Sequence, residues 1–214
     1  MQPKAAVERI AFTADGRRLI SYDASSVARL WDLETGTELF RYAHTGVSDY
    51  LAVNANARRA ATASEGVVQV WDTREGQAIT QFDFEDRIEK LALSPDGTML
   101  ATVADGASQV DVVKIDPTVA KSGAPAAEPF SLMQEDFVNS VRFSPDGSLI
   151  VAGSGDRRRE PWHGTARLLD ARNGTEKGRF VHEGALEEAR LSDDNSLLAI
   201  SVNKKHPLGF ELAR

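Results

Sequence analysis

A unit of apolar strand, tight turn and apolar strand recurs along the chain at a step of about 40 residues, and this repeat dictates the fold more than any other feature. Four segments carry it: Ile10–Ile20 (IAFTADGRRLI), Leu91–Leu100 (LALSPDGTML), Val141–Ile150 (VRFSPDGSLI) and Ala189–Leu198 (ARLSDDNSLL). A fifth, Leu51–Ala61 (LAVNANARRAA), keeps the spacing without the Asp-Gly. Asp-Gly or Asp-Asn between apolar runs is hairpin chemistry, because these residues tolerate the positive φ of tight turns. A second apolar element follows: Val27–Asp32 (VARLWD), Val67–Asp72 (VVQVWD), Val112–Asp116 (VVKID) and Ala166–Asp170 (ARLLD). After it come a Gly-containing turn and a short strand such as Glu38–Arg41, so each unit reads as four short strands.

The markers Phe12, Val53, Leu93, Phe143 and Leu191 step by 41, 40, 50 and 48 residues. A four-stranded unit of about 40–45 residues is a β-propeller blade. Runs such as Met99–Val103 are apolar or small throughout, as expected for sheets covered on both faces. Helical periodicity is nearly absent. The fold class expected is all-β: a β-propeller of four-stranded antiparallel blades, four full and a truncated fifth. The repeats lie at approximately 7–46, 47–86, 87–136, 137–184 and 185–214 of a single domain.

Trp31-Asp32 and Trp71-Asp72 each end a strand before a Gly-containing turn, and Ser-Pro-Asp-Gly turns stand at 94–97 and 144–147. On these residues the chain resembles the WD-repeat β-propeller family over nearly its whole length. The third and fourth repeats read as Ile115-Asp116 and Leu169-Asp170 in place of Trp-Asp, which marks divergence. The resemblance implies a structural hydrogen-bond network of His, Ser or Thr, a turn Asp and Trp. Only the second repeat comes close, with His44, Ser64, Glu65 in place of Asp, Trp71 and Asp72, while the first offers Trp31 and Asp32. A lone buried donor costs about 1–3 kcal/mol, so the other blades are expected to hold by apolar stacking.

Family propellers are usually seven-bladed, a size needing about 280–315 residues at this period; the chain has 214. Three readings stay open: a fragment of a longer propeller, a ring completed by self-association or a second chain, or a small five-bladed ring. An open ring would leave apolar faces and strand edges uncovered.

Composition then narrows function. A net charge of -7 argues against a nucleic-acid partner, which needs a basic face. The absence of cysteine excludes disulfides, thiolate metal sites and cysteine nucleophiles, leaving a cytoplasmic location as the simplest reading. No apolar run approaches a membrane span, and Glu8 and Arg9 interrupt the place of a signal peptide, so no membrane partner is expected.

Two insertions disturb the period. Pro117–Pro129 is Ala- and Pro-rich and reads as a spacer. Gly155–Gly164 places Arg157, Arg158 and Arg159 beside Trp162 and His163, in a loop between the second and third strands of the fourth repeat. Arg and Trp are enriched at binding hot spots, and a basic cluster on an acidic chain suits an acidic or phosphorylated peptide; the competing reading is a solvated loop whose Trp folds back. Catalytic readings are weak. The four histidines, His44, His163, His182 and His206, show no metal-ligand spacing, and no metal or cofactor is expected. Ser64, His44 and Asp72 read as the structural network rather than a triad. The expected function is a noncatalytic scaffold whose rim loops bind a protein or peptide. The alternatives are a regulatory or sensor propeller of a larger signalling protein, and a propeller hydrolase with its site in the central channel.

Overall fold

The computed structural model describes residues 5–13, 16–43, 50–116, 130–156, 163–203 and 209–213, with the backbone alone at 203 and 209–213. Every regular element among them is a β-strand. Blade 1 comprises β1 (Val7–Phe12), β2 (Arg18–Asp23), β3 (Val27–Asp32) and β4 (Glu38–Ala43). Blade 2 holds β5 (Tyr50–Val53), β6 (Arg59–Ser64), β7 (Val67–Asp72) and β8 (Gln77–Asp83). Blade 3 holds β9 (Ile88–Leu93), β10 (Met99–Ala104), β11 (Gln109–Lys114) and β12 (Phe130–Met133). Blade 4 holds β13 (Val138–Phe143), β14 (Leu149–Gly155), β15 (His163–Asp170) and β16 (Glu176–Glu183). The fifth sheet has three described strands, β17 (Ala185–Leu191), β18 (Leu198–Asn203) and β19 (Gly209–Ala213). Each sheet is antiparallel with neighbours in chain order.

The turn after each first strand is a side-chain clamp. In blade 3 the Ser94 hydroxyl donates to Asp96 at 2.6 Å and accepts the Met99 N–H at 2.9 Å, while Asp96 accepts the Thr98 N–H at 2.9 Å. Gly97 takes φ +74° between them. Ser144, Asp146 and Ser148 repeat the clamp in blade 4, and Ser192, Asp194 and Ser196 in blade 5, where Asn195 replaces the glycine at φ +58°. Blade 2, which lacks Asp-Gly, builds the same turn from Asn54 and Asn56, with Ala57 at φ +48°.

The ladder corrects the frame of the third repeat. Trp31 lies opposite Leu19, Trp71 opposite Ala60 and Leu169 opposite Ile150. The equivalent rung of blade 3 pairs Leu100 with Val113, not Ile115, and Lys114 stands where Asp32 stands in blade 1. Ile115 instead donates its N–H to the Thr98 carbonyl, as Thr73 does to that of Arg58, which puts it one position beyond the Asp. Val112, Val113 and Ile115 are all buried, so apolar pattern alone could not choose the register.

Blades cohere by stacking. Ala61, Ala63, Val68 and Val70 of blade 2 meet Leu93, Leu100 and Val113 of blade 3. Ala101, Val103, Val110 and Val112 then meet Val141, Ile150, Ala152 and Leu169 of blade 4. Val151 and Ala166 meet Leu186, Ala189, Leu198, Ile200 and Val202 of the fifth sheet. Between the first two blades, Ile20 and Leu30 pack against Ala60, Leu51 and Val53, and the Trp71 ring sits edge-on to Phe40 at 5.1 Å and Tyr42 at 5.3 Å. Burying each Val, Leu or Ile contributes about 1.5–3 kcal/mol, which makes this stacking the main cohesive term. The substantial contacts run from each blade to the next, and none joins the fifth sheet back to blade 1 among the described residues.

Candidate interaction site on the blade rim

Two rims follow from the topology. The clamp turns and the turns after the third strands share one; the turns between second and third strands and the links between blades share the other. On the second rim the blade 4 hairpin reaches farthest. Counted from the Trp-equivalent rung, its ladder runs five pairs, to Gly155 opposite Gly164, whereas blade 2 stops at Ser64 opposite Val67. The ladder of β15 with β16 begins at His163 opposite Glu183.

Glycines let this long hairpin lie flat on the fifth sheet. A Cβ at Gly153 would sit 2.3 Å from Leu186 Cδ2, and one at Gly164 would sit 2.5 Å from the Gly184 carbonyl and 2.6 Å from the Leu186 nitrogen. Asn139 staples the seam by donating from Nδ2 to the carbonyls of both Gly155 and Leu186, each at 2.9 Å. The base of the loop is therefore fixed on both sides. His163 is exposed at that base. Arg157, Arg158, Arg159 and Trp162 lie outside the described residues.

The expected network is distributed differently among its members. Trp31 Nε1 donates to the Ser21 hydroxyl at 2.8 Å; Trp71 Nε1 donates to Thr62 Oγ1 at 3.2 Å and to the Gln69 carbonyl at 3.0 Å. Ser21 and Thr62 each stand two residues past the partner of the Trp, a signal available in the sequence at Ser21 and Thr62 once the rung is known. Ser64 is buried, and its hydroxyl has no partner among the described residues. Glu65 is exposed at φ +51° in the two-residue β6–β7 turn, and its carbonyl accepts the Ile88 N–H. Asp32 accepts the Thr35 N–H and hydroxyl, and Asp72 the N–H groups of Arg74 and Glu75, so both carboxylates close turns on the first rim. Hydrogen bonds from the Thr35 amide and hydroxyl hold Asp32 below the usual carboxylate range. His44 lies outside the described residues.

Blade 1 contains a pair that the sequence reading missed. Asp23 and Arg29, both buried, form an ion pair, and Glu38 stands 3.4 Å from the same guanidinium. Burial pushes the Asp23 carboxyl up, but Arg29 and the N–H groups of Val27 and Ser25 outweigh it and leave the group below its ordinary value. Blade 4 repeats the arrangement in the open: Glu176 takes both Arg179 and Arg167, which hold it down at about 2.

The first strands of all five blades line a central channel of about 600 Å³. Its charged wall includes Arg9, Lys90, Arg142 and Glu188, the last two paired at 2.5 Å. Among the described residues no group of three or more His, Asp or Glu is placed to hold a metal ion, and no helix is long and apolar enough to cross a membrane.

Comparison with known proteins follows the same lines. Residues 130–158, from β12 through β13 into β14, match the family model of the WD domain, G-beta repeat. No match was found among curated proteins. Among solved structures the chain is similar to the Cps50 (Swd1) beta-propeller domain of Myceliophteria thermophila, with a TM-score of 0.75 and 17% identity. The likeness covers 94% of this chain and 63% of that one, so the chain spans less than two thirds of the domain it matches. Stacked four-stranded antiparallel blades and the structural likeness give this chain a β-propeller fold, within which residues 130–158 are similar to a WD repeat.

Proposed function

We propose that the protein is a noncatalytic interaction scaffold and that its binding loop is the one carried by the blade 4 hairpin. WD-repeat propellers in general serve as scaffolds for protein partners, and the partner inferred here is an acidic or phosphorylated peptide. One observation carries the choice of loop: the β14–β15 hairpin extends beyond the others and is fixed at its base by the Gly155–Gly164 rung and the Asn139 staple. A rigid base lowers the entropy lost when a loop closes on a ligand. In sequence, that loop concentrates Arg157, Arg158, Arg159, Trp162 and His163, which supply forked donors and one large apolar surface.

The test is fluorescence anisotropy with an acidic, unphosphorylated peptide pool, comparing the native chain with R157A/R158A/R159A/W162A. The fourfold variant is expected to bind about tenfold or more weakly with an unchanged melting temperature. Equal binding by both proteins would refute the assignment.

A further inference from the structure

The opposite rim carries a second basic feature, in the groove between the first two blades. About 560 Å³ of space there is lined by Arg17, Arg18, Arg58, Arg74 and Asn56, with Asp32 and Glu34 as the carboxylates among its described lining residues. Four guanidiniums against two carboxylates make a locally positive cleft on a chain of net charge -7.

The groove is held in shape from below. Arg18 Nη1 donates across the blade boundary to the carbonyls of Thr73 at 2.6 Å and Arg74 at 2.8 Å. Thr73 joins the two turns of blade 2: its N–H donates to the Arg58 carbonyl at 2.9 Å and its hydroxyl to the Ala57 carbonyl. The backbones of Arg58 and Arg74 are thus pinned side by side. Their guanidiniums, both on exposed residues, have no acceptor among the described residues. Asn56 uses its Oδ1 to accept the Arg58 N–H at 2.9 Å, which leaves its amide Nδ2 as a further donor.

We propose that this groove binds a phosphorylated segment of a polypeptide, with Arg58 and Arg74 forked onto the phosphate and Arg18 acting as the positioning residue that holds Arg74. Two planar guanidiniums offer parallel N–H pairs that match a tetrahedral dianion. The cleft is far larger than one phosphate, so the chain carrying the group lies in it as well. Glu34, exposed and unpaired among the described residues, favours a basic residue flanking the phosphate. The same Glu34 and Asp32 repel a uniform polyanion, which sets a phosphopeptide above a nucleic acid. This site is independent of the blade 4 loop.

The experiment uses the full chain and a fluorescein-labelled pool of nine-residue peptides, randomised around a fixed central phosphoserine, with the unphosphorylated pool as its counterpart. Anisotropy is expected to show binding of the phosphorylated pool that R58A/R74A weakens about tenfold or more. R157A/R158A/R159A/W162A leaves that component in place, and R58K/R74K, which keeps charge but not the fork, restores only part of it. Circular dichroism checks that each variant is folded. Equal affinity for both pools, no binding of the phosphorylated pool, or loss only in the blade 4 variant would overturn the assignment. Competition by inorganic phosphate alone at the peptide's own affinity would overturn the peptide part. Preference for single-stranded DNA over the pool would do the same.

Discussion

Thr102 is the residue-scale record of a tryptophan that blade 3 lacks. Ser21 and Thr62 stand at the same place on their second strands and receive an indole N–H, but the position opposite Leu100 is now Val113. The Thr102 hydroxyl, fully buried, is left without a partner. An unsatisfied buried hydroxyl costs about 1–3 kcal/mol, and Thr102 stands on the ladder between Leu91 and Asp111. Thr102→Val is therefore expected to raise unfolding stability by about 1 kcal/mol in a denaturant titration, whereas Thr62→Val, which removes one of the two acceptors of the Trp71 indole and leaves the Gln69 carbonyl, should bring no such gain. The sequence disclosed both Trp-Asp pairs and their step, because a Trp at a strand end is conspicuous. It did not disclose which hydroxyl each indole meets: Ser64 looks as suitable as Thr62 until the rung Ala60–Trp71 shows that both share the indole's face, with Thr62 two residues from the rung and Ser64 four.

Among elements, the clamp turns are the parts most sensitive to acid. Hydrogen bonds from Ser192 and Ser196 hold Asp194 down at about 2, and those from Ser144 and Ser148 hold Asp146 well below its ordinary value. At Asp96 burial pulls upward but Ser94 and Thr98 prevail, and the carboxyl again lies low. A depressed folded-state value means that stabilisation is complete above the unfolded carboxylate range, near 3.9. It is lost as pH falls through the folded values. Thermal melts are expected to hold level above about pH 5 and to drop between about pH 4 and 2, and Asp194→Asn to flatten part of that drop. These turns were legible because Ser-Pro-Asp-Gly and Ser-Asp-Asp-Asn spell out their own hydrogen bonds. The blade 2 turn was harder, since two asparagines and an alanine at positive φ reach the same geometry by different side chains. The third repeat was misframed by two positions because Val-Val-Lys-Ile-Asp offers apolar residues in either register, and only the ladder from Met99 to Thr102 chooses.

The whole molecule is asymmetric between its ends. Phe12, Leu19 and Trp31 form one cross-strand row on blade 1, and Ile10, Ser21 and Arg29 the next. In blades 2 to 4 and the fifth sheet the matching face is covered by the preceding blade, but on blade 1 no described residue stacks there. On these rows the first-strand residues Ile10 and Phe12 are 58% and 60% exposed and nearby Val7 43%, while Ser21, Arg29 and Trp31 are buried. Such a face promotes association. Ile10→Ser with Phe12→Ser is expected to reduce binding of a hydrophobic dye and to narrow the mass distribution in light scattering, without lowering the melting temperature. Unchanged dye binding would show that the face is covered in solution. Repeat number and blade order were readable from spacing alone; the state of the end faces was not, since Ile10 and Phe12 have the same alternation as the half-buried Leu91 and buried Leu93.

Among the described residues the substantial contacts run from each blade to its neighbour, which is the pattern of a short linear array. Within a blade, every rung joins residues close in sequence, so a single hairpin loses little chain entropy in forming and waits only for a stacking partner. Blades 2, 3 and 4 each have a stacking partner on either side, so order formed at any of them can spread outward. Among the described residues blade 1 and the fifth sheet each stack on one neighbour, which makes them the sheets expected to open first. In such an array a ligand seated between blades 1 and 2 would act on folding as much as on recognition, because its binding free energy would fasten the end that otherwise frays.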